Sequence, residues 1–101
     1  MDDEAHKERR LAEAYLVVLN SKDQDQVIDL LRMIYNQDPD YAGKRAAQLL
    51  YAALVERADT FLKSGDRAAA IAAYRVAAQL EVDDPSQAQE RLAELTAEAT
   101  P

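Results

Sequence analysis

Apolar residues at three- and four-residue spacing predict α-helices along almost the whole chain. The clearest case is the stretch 54–80, in which two such series meet at the polar turn Lys63-Ser64-Gly65-Asp66. Gly65 can take the left-handed conformation that ends a helix, and Asp66 can accept hydrogen bonds from the first N–H groups of the next helix. The sequence therefore predicts two antiparallel helices here. Their apolar positions are Leu54, Ala58, Phe61, Ala70, Tyr74 and Ala77.

A similar pair of helices is predicted in the first forty residues. The first helix runs from about Glu4 to Asn20 and is apolar on more than one face. Asp23, with Gln26 three residues later, forms a capping-box pattern that starts the second helix, and this helix ends before Pro39. The apolar positions of this pair are Leu11, Ala14, Tyr15, Val18, Val27, Ile28, Leu31 and Ile34.

The segment between the two pairs predicts an extended third helix. Over residues 40–50 only Gly43 disfavours a helix, and the apolar stripe continues through it. We therefore expect one helix from about Tyr41 to Lys63, roughly 35 Å long, that overhangs its neighbours. The overhang would leave three apolar residues poorly covered, namely Ala46, Leu49 and Leu50.

A fifth helix is predicted over residues 85–98. Asp84 can cap it, Pro85 suits a first turn, and Gln87 completes a second capping box. Residues 99–101 are expected to form a tail. The chain has few β-branched residues, and no stretch of strand length alternates polar and apolar residues. We therefore predict no sheet and an all-α fold class.

The spacing of the central pair, Leu54-x2-Arg57-Ala58-x2-Phe61 and then Ala70-x3-Tyr74, resembles that of a tetratricopeptide repeat (TPR). The first pair of helices fits the same slots, and Pro39 stands where the family has its proline. Tyr15 departs from the pattern, because the family has a small residue there. Val27 and Ala70, which occupy the same slot, are 43 residues apart instead of the 34 that the family uses.

The resemblance implies antiparallel helix-turn-helix repeats, as in a fragment of a TPR-like α-solenoid, with five helices and an extended third one. In this interpretation residues 1–101 form a single domain. Repeat 1 spans about 8–41, the helical extension 42–50, repeat 2 51–84, and a capping or half-repeat helix 85–98. A generic five-helix bundle with accidental periodicity is the alternative.

TPR arrays bind peptides or helices on a concave wall made by the first helix of each repeat. The resemblance therefore implies a protein-protein interaction module, an adaptor or scaffold, that binds a protein or peptide partner. The residues at the matching positions are Leu16, Leu19, Val55 and Leu62, with Asp59 and Lys63 at the edge.

Two alternatives stay open at this point. The four apolar positions could be an open groove, or they could be core that other parts of the chain cover. The domain could instead associate with itself as a homodimer within a larger regulatory protein, through the poorly covered residues Ala46, Leu49 and Leu50.

Net charge, the length of the apolar runs and the N-terminal segment narrow the expected partners and location. The net charge is −7, and the segment 81–101 holds six acids against Arg91 alone. Because an acidic domain without a basic stripe repels phosphate backbones, no nucleic acid is expected as a partner. The apolar run of residues 49–55 is too short to span a bilayer, and no other run is longer, so no membrane is expected either. The charged N-terminal segment lacks the apolar core of a signal peptide, so the cytoplasm is the predicted location. The absence of cysteine excludes disulfides and leaves the redox compartment open.

No residue pattern predicts catalysis, so we expect no enzyme, no cofactor and no metal. His6 is the only histidine and lies in the charged N-terminal segment without a second strong metal ligand. The serines lie at helix boundaries, where hydroxyls cap helices, and none has a histidine at a spacing that could activate it. They are Ser21, Ser64 and Ser86.

Overall fold

The computed structural model describes residues 2–98, with side-chain surroundings for residues 3–97, and in this part of the chain every regular element is a helix. The predicted all-α class with five helices is therefore confirmed. The predicted tail, residues 99–101, lies outside the described residues. The helices are α1 (Asp2–Asn20), α2 (Gln24–Gln37), α3 (Arg45–Lys63), α4 (Arg67–Ala78) and α5 (Ser86–Glu98).

The chain divides into two compact units, one ending at Ala47 and the other beginning at Gln48, so the boundary falls inside α3. In the first unit α1 packs against α2. Helices as short as these gain most of their stability from burying an apolar face, and both contribute one here. The buried side chains of the two helices are Leu11, Ala14, Val18, Ile28, Leu31 and Ile34.

In the second unit α4 packs against α5. Ala70 and Ala77 are completely buried, which confirms the burial predicted from the helical spacing. Small side chains at these positions allow close approach of neighbouring backbone. The buried residues of this unit are Leu50, Leu54, Val55, Ala58, Ala70, Ala73, Tyr74, Ala77, Leu80 and Ala88.

The start of α2 uses the predicted capping residues, but one more residue takes part. The Asp23 carboxylate accepts hydrogen bonds from the backbone N–H groups of Asp25 (3.0 Å) and Gln26 (3.3 Å). The N–H of Asp23 donates to the hydroxyl of Ser21 (3.1 Å), which in turn donates to the side-chain carbonyl of Gln26 (2.9 Å). The reciprocal half of the capping box is therefore relayed through a serine hydroxyl.

The turn between α3 and α4 forms where the sequence predicts it. Gly65 has a φ of 86°, in the left-handed region that glycine adopts without steric penalty. The Asp66 N–H donates to the carbonyl of Phe61 (2.8 Å), and the Gly65 N–H donates to the carbonyl of Leu62 (3.1 Å), which is the Schellman pattern. The Asp66 carboxylate then accepts from the N–H of Ala69 (3.1 Å) and caps α4.

The start of α3 differs from the prediction. The helix begins at Arg45 rather than Tyr41, and with 19 residues it is as long as α1, not longer. Ala42, Gly43 and Lys44 have φ values of 55°, 64° and 71°, so three successive residues lie in the left-handed region and break the helical path. From Arg45 onward α3 is unbroken.

The contact that accompanies this break is aromatic. The rings of Tyr41 and Tyr15 meet edge to face, with centroids 5.5 Å apart and planes at 71°. Edge-to-face pairs contribute about 0.5–1.5 kcal/mol beyond the area they bury. We infer that this ring contact helps to hold the turn that a continuous helix through Gly43 would remove.

The start of α5 is capped both locally and from α3. The carboxylate of Asp84 accepts a hydrogen bond from the N–H of Ser86 (3.1 Å). The N–H of Ala88, one of the donors that a helix start leaves without an intrahelical partner, donates to the hydroxyl of Tyr51 (3.0 Å). A tyrosine from α3 therefore completes the cap of α5.

The Asp84 carboxylate gives the start of α5 a dependence on pH. Hydrogen bonds from the Ser86 side chain, and then from its backbone N–H, hold the pKa of Asp84 below its ordinary value. A carboxylate with a lowered pKa stabilises the folded state above its unfolded pKa, and this contribution is lost as the pH falls through the folded pKa. We expect the first amides of α5 to lose hydrogen-exchange protection below about pH 4, before those of α3.

Asp84→Ala provides the control for this expectation. In that variant the same amides of α5 should be less protected at neutral pH. Their protection should also lose the pH dependence that comes from titration of the Asp84 carboxyl group. An unchanged pH profile in Asp84→Ala would show that the carboxylate does not act on α5.

Candidate partner-binding surface

Large apolar side chains remain exposed mainly on one turn of α1. Leu16, Val17 and Leu19 are 60%, 43% and 57% exposed, and we refer to these three residues as the α1 patch. Leu49 of α3, 38% exposed, is the other large apolar side chain of this kind in the described part of the chain. Single exposed leucines are common on protein surfaces, whereas a group of exposed apolar side chains marks a candidate contact surface.

The position of the α1 patch follows from the helical period. Leu11, Ala14 and Val18 lie on the face of α1 that is buried. Leu16 and Leu19 are rotated away from that face, so folding of the unit does not bury them. Ala12, one turn before Leu16, is exposed too. The strip of α1 that carries Ala12, Leu16 and Leu19 is therefore apolar where a helix that only faced water would be polar.

An open depression of about 370 Å³ adjoins the patch at the end of α1. Its polar groups are held by internal hydrogen bonds. The Asn20 amide donates to the carbonyl of Leu16 (2.8 Å), and the Ser21 hydroxyl donates to Gln26 (2.9 Å). Such a site can accept one apolar side chain beside a fixed polar edge. The lining residues are Leu16, Val17, Asn20, Ser21 and Gln26.

The predicted binding residues fall into two groups. Leu16 and Leu19 belong to the first unit and are exposed, as the groove interpretation requires. The other four predicted residues belong to the second unit: Val55, Asp59, Leu62 and Lys63.

Val55 does not fit the prediction of an open groove. It is 8% exposed and belongs to the core, together with Leu54 and Ala58 of the same helix. The sequence-based assignment failed because α3 is apolar on more than the single stripe through Leu54. Leu62 is half-buried, and Lys63 is exposed at the last position of α3.

Asp59 has a structural partner. Its carboxylate accepts a hydrogen bond from the hydroxyl of Tyr74, whose side chain is completely buried. Burial, and then the hydrogen bond to Asp59, raise the pKa of Tyr74 to about 12. Because the neutral hydroxyl is the form that donates to the carboxylate, this pair connects α3 to α4 at neutral pH.

Two of the three residues predicted for self-association are buried. Ala46 and Leu50 are each 1% exposed, so the expectation that they are poorly covered is wrong. The reason is the start of α3. Because the helix begins at Arg45, residue 46 lies in its first turn rather than in the middle of an overhang. Only Leu49 keeps the exposure that the prediction required.

A second depression, of about 490 Å³, lies between the start of α1 and the end of α2. It combines the apolar side chains of Leu11 and Tyr41 with Lys7 and three carboxylates. No group of three or more His, Cys, Asp or Glu side chains within residues 3–97 has a geometry that could hold a metal ion. The carboxylates that line this depression are Glu4, Glu8 and Asp38.

The histidine and the serines that were considered as candidate catalytic residues lie on the surface or at helix ends. His6 is exposed on α1. The hydroxyl of Ser21 is bonded to Gln26, and that of Ser64 donates to the carbonyl of Phe61 (3.0 Å) at the end of α3. None of the helices within the described range is long and apolar enough to cross a membrane.

Sequence reasoning missed Val17 and the role of Tyr51. The apolar pattern contains a signal for Val17, since it is a β-branched residue on a face of α1 that the core does not need. For Tyr51 there is no local signal, because its partner Ala88 lies 37 residues later in the chain. Comparison of the chain with protein-family models, with curated proteins and with solved structures gave no match.

Proposed function

We propose that this chain is a non-enzymatic protein-protein interaction module and that the α1 patch makes the contact. The observation that carries the proposal is the exposure of Leu16, Val17 and Leu19, of which the first two line an open depression. Burying an exposed leucine contributes about 1.5–3 kcal/mol, so two leucines and a valine can anchor a partner. The partner is a peptide or helix that presents an apolar side chain to the depression.

The TPR-like interpretation belongs to the same proposal. It is supported by the turn at Gly65 and by the two aspartates, Asp23 and Asp66, that cap the second helix of each pair. The buried Val55 limits it, because a concave wall of the TPR kind would not run through that residue. We therefore assign the contact to α1 alone, and we propose a cytoplasmic location for the module.

Self-association is the second candidate function. Ala12 and Ala5 are exposed about one and three turns before Leu16, on the same side of α1 as Leu16 and Leu19. Small residues next to leucines allow the backbones of two helices to approach closely. Two copies of α1 could therefore pack against one another through this side.

The double variant Leu16→Glu with Leu19→Glu tests the α1 patch. Both side chains are exposed, so we expect the circular dichroism spectrum and the thermal midpoint to change little. Two charges in an apolar contact should weaken binding at least tenfold, because each must be desolvated. Proximity labelling in cells should then recover a partner with the parent chain and lose it with the variant.

Gln24→Glu with Asn36→Glu is the matched control, because it adds the same two charges at exposed positions of α2. It should retain the partner. Sedimentation velocity at two well-separated concentrations distinguishes the two functions: a dimer that the α1 variant abolishes supports self-association. Identical labelling profiles for all three chains, together with a monomer throughout, would contradict the assignment of the patch.

A further inference from the structure

The last helix of the second unit contributes little to the core. Among the side chains of α5 that the structure describes, Ala88 is the one that is buried. Leu92 and Leu95 are half-buried. By contrast, α4 buries four side chains, including the ring of Tyr74. The area that α5 removes from water is therefore small for its 13 residues.

Side chains from other helices hold α5 at both ends. At its start the hydroxyl of Tyr51 accepts the N–H of Ala88 (3.0 Å). Near its end the guanidinium of Arg67, the first residue of α4, donates to the carbonyl of Leu95 (2.8 Å). The first of these bonds joins α5 to α3 and the second joins it to α4, and breaking them leaves the backbone hydrogen bonds within α4 intact.

The connection to α5 is held at its start and open just before the helix. Residues 79–85 contain no helix, Leu80 is buried, and the Asp83 carboxylate accepts a hydrogen bond from the side chain of Gln48 (3.4 Å). Asp84 is exposed, so α5 can leave through a hinge at residues 84–85. Segments with few buried apolar side chains open locally at a lower free energy than the whole domain. The buried side chains of α4, in contrast, are apolar and mostly small: Ala70, Ala73 and Ala77, beside Tyr74.

We propose that α5 is a detachable cover: it leaves α4 as a unit while α3 and α4 stay folded, and the uncovered side of α4 then binds a helix of the same chemistry from another protein. The chemistry of that helix is given by α5 itself. It has a small residue followed by leucines at the spacing of Ala88, Leu92 and Leu95, and near its end it presents a backbone carbonyl to Arg67. This surface is independent of the α1 patch.

Native-state hydrogen exchange on the full chain tests the opening. We expect the amides of α5 to exchange together and faster than the most protected amides of α3 and α4. Tyr51→Phe and Arg67→Gln should each accelerate exchange in α5 by about two- to tenfold, as loss of one hydrogen bond predicts, and leave α3 unchanged. Tyr41→Phe and Arg75→Gln are matched controls, because Tyr41 and Arg75 make neither of the two bonds.

A helix-breaking variant tests the binding of a second helix. Ala93 is exposed in the middle of α5, so Ala93→Pro disrupts α5 without altering the side of α4 that it covers. A labelled peptide with the sequence of residues 84–98 should bind this full-length variant at least tenfold more tightly than the parent chain, in which α5 competes. The same peptide carrying Ala93→Pro is the control probe and should not bind.

Three results would overturn the proposal. Exchange of α5 at the same free energy as α3 and α4 would show that it opens only when the unit unfolds. Loss of all helical structure in Ala93→Pro would show that α5 is an integral part of the fold. Equal binding of the peptide to the variant and to the parent chain would show that the uncovered side of α4 does not accept a helix.

Discussion

Tyr74→Ala is expected to lower the free energy of unfolding by about 3–5 kcal/mol, the range found when a large buried aromatic side chain is truncated. The ring of Tyr74 has no exposed surface, and its hydroxyl bonds to Asp59, so the substitution removes both a packed ring and a hydrogen bond. Domains of this size are stable by about 5–15 kcal/mol, which places the variant close to unfolding. Urea denaturation followed by circular dichroism measures the change.

Tyr74→Phe separates the two contributions. It keeps the ring and removes the hydroxyl, and we expect a loss of about 1–3 kcal/mol because Asp59 keeps a half-buried carboxylate without this donor. If the alanine variant is no less stable than the phenylalanine variant, the ring does not fill the core as described.

The raised pKa of Tyr74 gives the same pair a signature at high pH. The pKa is about 12 in the folded protein and about 10 in an unfolded chain, so the folded state favours the neutral hydroxyl. The stabilisation is complete below pH 10 and is lost as the pH rises toward 12. Tyr74→Phe should lack this part of the alkaline loss.

Val55→Glu is expected to destabilise the fold by about 3–5 kcal/mol, because it places a carboxylate without a partner at a buried position of α3. The thermal midpoint of the variant should fall by many degrees at pH 7. The same variant should be more stable near pH 4, because the new carboxyl group is neutral there.

Leu16→Glu is the control for this substitution, because it makes the same kind of change at an exposed position. Its effect should remain within about 0.5 kcal/mol. Equal effects of the two substitutions would mean that Val55 and Leu16 share one environment, which the difference in their exposure contradicts.

The turns that depend on neighbouring residues could be predicted from the sequence. Gly65 is followed directly by Asp66, and the apolar series restarts after it, so one short segment contains both the end of a helix and the cap of the next. The Asp23 cap is local in the same sense. These signals need no knowledge of the rest of the fold.

Gly43 could not be interpreted in this way. Its neighbours Ala42, Lys44 and Arg45 are good helix formers, and the apolar stripe runs past it, so local propensity favoured a helix. The left-handed turn occurs together with the contact between Tyr41 and Tyr15, which lies 26 residues away in the chain. Contacts of that length leave no trace in a local pattern.

Exposure was predictable for α1 and not for α3. The positions of Leu16 and Leu19 away from the buried face follow from the helical period. Val55 and Leu50 lie on a helix that is apolar around much of its circumference, so the period alone does not tell which sides other parts of the chain cover. The sequence therefore predicted only part of the candidate site: Leu16 and Leu19 of α1 remain in it, and Val55 is assigned to the core.

The cap that Tyr51 provides for α5 also bears on how the chain tolerates insertions. The start of α5 is positioned by the side chain of Tyr51, 37 residues earlier in the chain. The loop before α5 therefore has to connect the two helices but does not have to position α5. Lengthening a flexible loop costs little free energy. A reporter peptide or fluorophore tag placed between Asp83 and Asp84 should therefore be accepted without moving α5, which makes this loop the natural site for labelling the protein.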